Sequence, residues 1–84
     1  MVKEEIWSIP LERARTFFLT QPDVAAEDTD RFRFESCRIS LEALSPVLGG
    51  MWAARRTRLH LEGREEDVAR IYHRFFLQFL SAGG

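Results

Sequence analysis

The stretch from Gly63 to Gly84 constrains the fold more than any other part of the chain. Apolar residues recur at Val68, Ile71, Tyr72, Phe75, Phe76, Phe79 and Leu80, the i, i+3, i+4, i+7 spacing of one helical face. Glu65, Glu66 and Asp67 crowd its start, where the helix dipole favours negative charge. Gly83 and Gly84 stand where a helix stops. The pattern predicts one long amphipathic helix running to about Ser81. Such a helix needs a sheet or a second helix to cover it. Its apolar set spans about 180°, from Ile71 round to Leu80, wider than the roughly 100° stripe of a single contact. Leu77 lies outside even that arc. The surplus reads either as packing on the sheet and the first helix together, or as contact with a second protein chain.

The elements before this helix follow from local signals. Val2 to Ser8 reads as a short strand, with weak alternation around Ile6 and Trp7. Pro10 opens a helix, because its fixed φ suits the first helical position. Leu11, Ala14 and Phe18 share its inner face, and Pro22 ends it. Residues 21–30 read as an acidic loop. Arg31 to Leu44 reads as a strand with Cys37, Ile39, Leu41 and Ala43 on one face and Arg38, Ser40 and Glu42 on the other. Phe32 and Phe34 are out of phase with that set. Either a bulge near Glu35–Ser36 restores the phase, or both phenylalanines lie on the outer face. Ser45 to Gly50 is a turn, and Met51 to Glu62 returns with Thr57, Leu59 and Leu61 inward and Arg56, Arg58 and His60 outward.

The resulting order is β-α-β-β-α over a single domain, residues 1–84. The expected fold is α+β: a two-layer sandwich in which a small antiparallel sheet is covered by two helices. In topology this resembles a ferredoxin-like unit lacking its last strand. A chain of 84 residues buries only about 60–65% of its unfolded surface. A core this thin, with the wide apolar arc of the last helix, favours a homodimer.

Composition removes several classes of function. The net charge of −1 gives the whole molecule no general attraction to nucleic acid or anionic membrane. The charge is uneven, however. Residues 31–60 hold six arginines against Glu35 and Glu42, whereas residues 1–30 hold seven acids against three bases. The single Cys37 cannot form an internal disulfide, and no apolar run of about 20 residues is present. With no leader-like segment at Met1, the expected location is cytoplasmic, with no membrane partner.

Four constellations are candidates for function. First, Arg38, Arg56, Arg58 and His60 lie on the outer face of the 31–62 hairpin and form a candidate anion or nucleic-acid surface, which Phe32, Phe34 and Trp52 would join as stacking platforms. The plainer reading is a solvated face with Glu42 pairing an arginine across the strands. Nucleic acid is not favoured, because a reader of this kind is normally more basic. Second, the terminal Gly83-Gly84 resembles the tail of ubiquitin-like sulfur carriers. That resemblance covers only the two glycines, and the order of elements departs from the carriers' β-grasp fold. Third, Cys37, His60 and His73 lack the spacing of a metal site, so no metal or cofactor is expected. Fourth, Cys37 and His60 could pair as nucleophile and base, but their parity places them on opposite faces of the sheet. Paired carboxylates occur only in runs that read as exposed.

The function expected on these grounds is non-catalytic: a protein-interaction or assembly module acting as a homodimer. Its candidate interface residues are Leu77, Leu80 and Trp52. The expected partner is a second copy of the chain, then another protein. The alternative is anion or nucleic-acid binding through Arg38, Arg56, Arg58 and His60.

Overall fold

A computed structural model describes residues 1–45 and 55–80. The elements are β1 (Val2–Trp7), α1 (Leu11–Thr20), β2 (Ala25–Asp28), β3 (Arg31–Phe34), β4 (Cys37–Leu44), β5 (Arg56–Glu62) and α2 (Glu65–Phe79). The strands form one five-stranded sheet in the order β1-β5-β4-β3-β2, and every neighbouring pair is antiparallel. The α+β class holds. The ferredoxin-like order does not: among the described residues two helices and five strands run β-α-β-β-β-β-α.

Two differences account for the change. Ala25–Asp28 is a strand and not a loop. It has a strand neighbour on one side only and all of its residues are exposed, so no burial forces alternation on its sequence. The stretch from Arg31 to Leu44 is two strands and not one. Phe34 pairs with Cys37 across a two-residue turn, and Glu35 takes a positive φ of 52°. Positive φ at the first turn position alone is the pattern of a type II′ turn. The turn, and not a bulge, resets the phase. Phe32 and Phe34 therefore face the core beside Cys37, Ile39 and Leu41, all five buried.

The core lies on one face of the sheet, under both helices. Phe18 of α1 stacks on Phe32 of β3 at 5.5 Å and on Phe75 of α2 at 5.6 Å, so one ring joins both helices to the sheet. Phe17 meets Phe75 and Phe79 edge to face. Trp7 does the same with Phe75 and Phe76, which closes the core at the β1 side. The buried Thr57 hydroxyl donates to the Ile9 carbonyl at 2.7 Å, so its polar atom is satisfied. Pro10 sits one residue earlier than the first helical position. It caps α1 with extended geometry, and its carbonyl accepts from the Arg13 N–H at 3.1 Å.

The start of α2 is tied to the β3–β4 turn. Arg64 at its N-cap makes no side-chain cap; the Ser36 hydroxyl accepts from the Arg64 N–H at 2.9 Å instead. Asp67 in the first turn accepts from the Ser36 hydroxyl at 2.5 Å and the Ser36 N–H at 3.2 Å. Ser36 thus supplies from the distant turn an acceptor for the N-cap N–H, the bond that the third helical residue makes in a capping box. The Ser36 donors hold the Asp67 carboxyl below its ordinary range. No helix among the described residues is long and apolar enough to cross a membrane.

Candidate functional site

With both helices on one face, side-chain alternation aims the other residues of each strand at an open outer face. Cross-strand register arranges them in rows. One row runs Asp28, Arg31, Ser40, His60, Glu4. The next runs Ala25, Arg33, Arg38, Glu62, Val2. On the other side of the first lies Glu42, Arg58, Ile6. Two shallow hollows overlie these rows. The larger, about 540 Å³, spans Glu4, Arg58, His60, Ser40, Arg31 and Asp28 among others.

The four residues singled out from sequence all reach this face, but no single hollow gathers them. Arg58 is held by Glu42 at 2.6 Å and lies 3.6 Å from Glu4, so its charge is matched. This is the cross-strand pair of the plainer reading; the pair is largely exposed and worth little energy. His60 sits between Glu4 and Glu62, 3.8 Å from each. Arg56 lies at the far end of β5 opposite Leu44, and its buried Nε has no hydrogen-bond partner among the described residues. Arg38 faces Arg33 on one side and Glu62 on the other.

Phe32 and Phe34 do not join the face, because both are buried in the core. Trp52 lies outside the described residues, as do Gly83 and Gly84. Cys37 is buried on the core side, and burial pushes its thiol up. It is therefore neither exposed nor poised as a thiolate, and His60 lies across the sheet from it. Among the described residues no three His, Cys, Asp and Glu side chains converge as a metal site.

Leu77 and Leu80 are 58% and 53% exposed. They follow His73 on the side of α2 facing away from the buried Val68, Ile71 and Phe75.

Among the described residues the sheet also has a free edge that sequence reasoning did not identify. β1 is an outer strand. The Met1 ammonium donates to the Gly63 carbonyl at 2.8 Å, and the Gly63 N–H donates back to the Met1 carbonyl at 3.0 Å. In an antiparallel ladder such doubly bonded pairs alternate with unbonded ones. Lys3, Glu5 and Trp7 therefore turn their backbone groups to β5. Val2, Glu4 and Ile6 turn theirs the other way, where no strand lies among the described residues. The same Val2 and Ile6 expose large apolar side chains on the outer face, at 59% and 52%. No sequence signal marks this edge, because an edge is a property of strand order. The outer sheet edge at β2 is different: it is short, and its pairing is broken by an irregularity between Ala26 and Asp28, a common device for blunting an edge.

The chain matches no protein-family model, no curated protein and no solved structure.

Proposed function

We propose that this chain is a non-catalytic assembly module that works as a homodimer, with the β1 edges of two copies joined across a two-fold axis. The observation that carries this reading is the self-complementarity of β1. Centred on Glu4, an antiparallel pairing sets Val2 against the partner's Ile6 and Lys3 against the partner's Glu5. The outward N–H and C=O groups of Val2, Glu4 and Ile6 all find partners in this register. Two apolar pairs and two opposite-charge pairs result, each of a kind that stabilises a ladder. The one unfavourable pair is Glu4 with its own copy, and Arg58 and His60 lie beside each of these carboxylates at 3.6 and 3.8 Å. A two-fold interface of this kind is closed and does not propagate.

The test is the solution mass of the parent and of Glu4→Pro. Proline at position 4 removes an N–H that the β1–β5 ladder does not use, and proline is tolerated on an edge strand. The reading expects a dimeric parent and a folded, monomeric variant. A monomeric parent, or a Glu4→Pro variant that remains dimeric, would count against it. Leu77 and Leu80 offer the other surface for self-association. Leu77→Asp separates the two: it leaves an edge-paired dimer intact and disrupts one formed through α2.

A further inference from the structure

The hairpin turn at Glu35–Ser36 brings Arg38 beside Arg31 and Arg33, from which a single-strand reading separates it. Arg33 lies directly opposite Arg38, a like-charge pair that destabilises a sheet. Arg31 stands two residues from Arg33 on the same face, opposite Ser40. Ser40 in turn lies opposite His60. A hollow of about 390 Å³ overlies these side chains. The acids around it are Glu27, bound to Arg33 at 3.0 Å, and Glu62, which is 3.8 Å from His60. Among the described residues, neither Arg31 nor Arg38 has a carboxylate in ion-pair range, although Asp28 and Glu62 are their direct cross-strand neighbours, whereas Arg33 and Arg58 are each paired.

We propose that this corner of the open face binds a phosphate monoester, with Arg31, Arg33 and Arg38 as the guanidinium donors and Ser40 as a hydroxyl donor. The planar fork of a guanidinium matches phosphate oxygens two at a time. A bound dianion also offsets the repulsion between Arg33 and Arg38, where Glu27 pairs Arg33 alone. A nucleic-acid strand fits this face less well. Phe32 and Phe34 are buried, so no Phe, Tyr or Trp of the described outer face offers a base a stacking platform. Asp28 and Glu4 at the two ends of the Arg31–Ser40 row, and Glu42 on the next, would repel an extended phosphate backbone. A single compact dianion held by Arg31, Arg33 and Arg38 keeps clear of Glu4 and Glu42, which do not line this hollow. The site lies on β3 and β4, away from the β1 edge, so it stands or falls separately from the proposed dimer.

The experiment is an amide chemical-shift titration of the full chain at low salt with two probes, phenyl phosphate and a phosphoserine peptide. Saturable shifts at Arg31, Arg33, Arg38 and Ser40 are expected. The double variant Arg31→Gln with Arg38→Gln should weaken binding at least about tenfold, in keeping with the loss of charge-assisted hydrogen bonds. The control Arg58→Gln should leave binding unchanged. Tighter binding of the peptide would assign the site to a phosphorylated protein, and equal binding to a small phosphate ester. Without ligand, Arg38→Gln should raise Tm by a few degrees, because it removes the like-charge pair. Absence of saturable shifts with both probes, or equal weakening by Arg58→Gln, would overturn the site.

Discussion

Gly63 links the last strand to the last helix and has no space for a side chain. A Cβ there would lie 2.6 Å from the Ser36 carbonyl oxygen and 2.7 Å from the Cys37 Cα, both backbone atoms that cannot swing aside. Gly63→Ala should therefore destabilise the fold by about 1–3 kcal/mol, the usual cost of overpacking, and urea unfolding would read it. Two carboxylates, Asp67 and Asp23, give the fold acid sensitivity. Ser36 holds Asp67 below the ordinary carboxylate range, and the hydrogen bond from Arg74 does the same for Asp23. Their folded-state values lie below their unfolded ones, so their stabilisation is present above about pH 4 and is lost as pH falls through the depressed values. The melting temperature should drop on acidification, and Asp67→Asn should flatten that drop. Tyr72 has the opposite sense. Burial and its hydrogen bond to Glu5 at 2.6 Å push its phenol up to about 12. The stabilisation it contributes is complete below about pH 10 and is lost as pH rises through that raised value. Tyr72→Phe should remove this alkaline dependence.

At the scale of elements, the aromatic contact between helices and sheet is the main source of cohesion. Phe75 touches Phe17, Phe18, Phe79 and Trp7, so Phe75→Ala should cost about 3–5 kcal/mol, enough to unfold much of a domain this small. The β3–β4 turn contains a correctable strain: Glu35 holds a positive φ that costs a side-chain-bearing residue roughly 1 kcal/mol or more. Glu35→Gly should raise the urea midpoint. These elements differ in how clearly the sequence shows them. Periodic burial makes α2 and the inner face of β5 readable, since Val68, Ile71 and Phe75, like Thr57, Leu59 and Leu61, each recur at the spacing of their element. β2 is hidden because its residues are all exposed. The β3–β4 turn is hidden because Glu-Ser lacks the glycine or asparagine that announces a two-residue hairpin. The phase break between Phe34 and Cys37 was the available signal, and it was equally consistent with a bulge. Missing that turn also concealed the nearness of Arg31 and Arg33 to Arg38.

At the scale of the whole molecule, the two helices cover one face of the sheet and leave the other face and the β1 edge open. On the open face Arg58 pairs with Glu42 and Arg33 with Glu27, and the proposed phosphate site is confined to the arginine corner. The β1 edge is the surface proposed for a second copy. No reading of single residues could find that surface, because it depends on which strand ends the sheet and which way its backbone groups turn. The most direct measurement is light scattering of the parent chain and of Glu4→Pro over a concentration series. The account predicts twice the 9.8 kDa chain mass for the parent and the single-chain mass for a still-folded Glu4→Pro. A parent that stays at the single-chain mass, or a Glu4→Pro variant at the dimer mass, would contradict it.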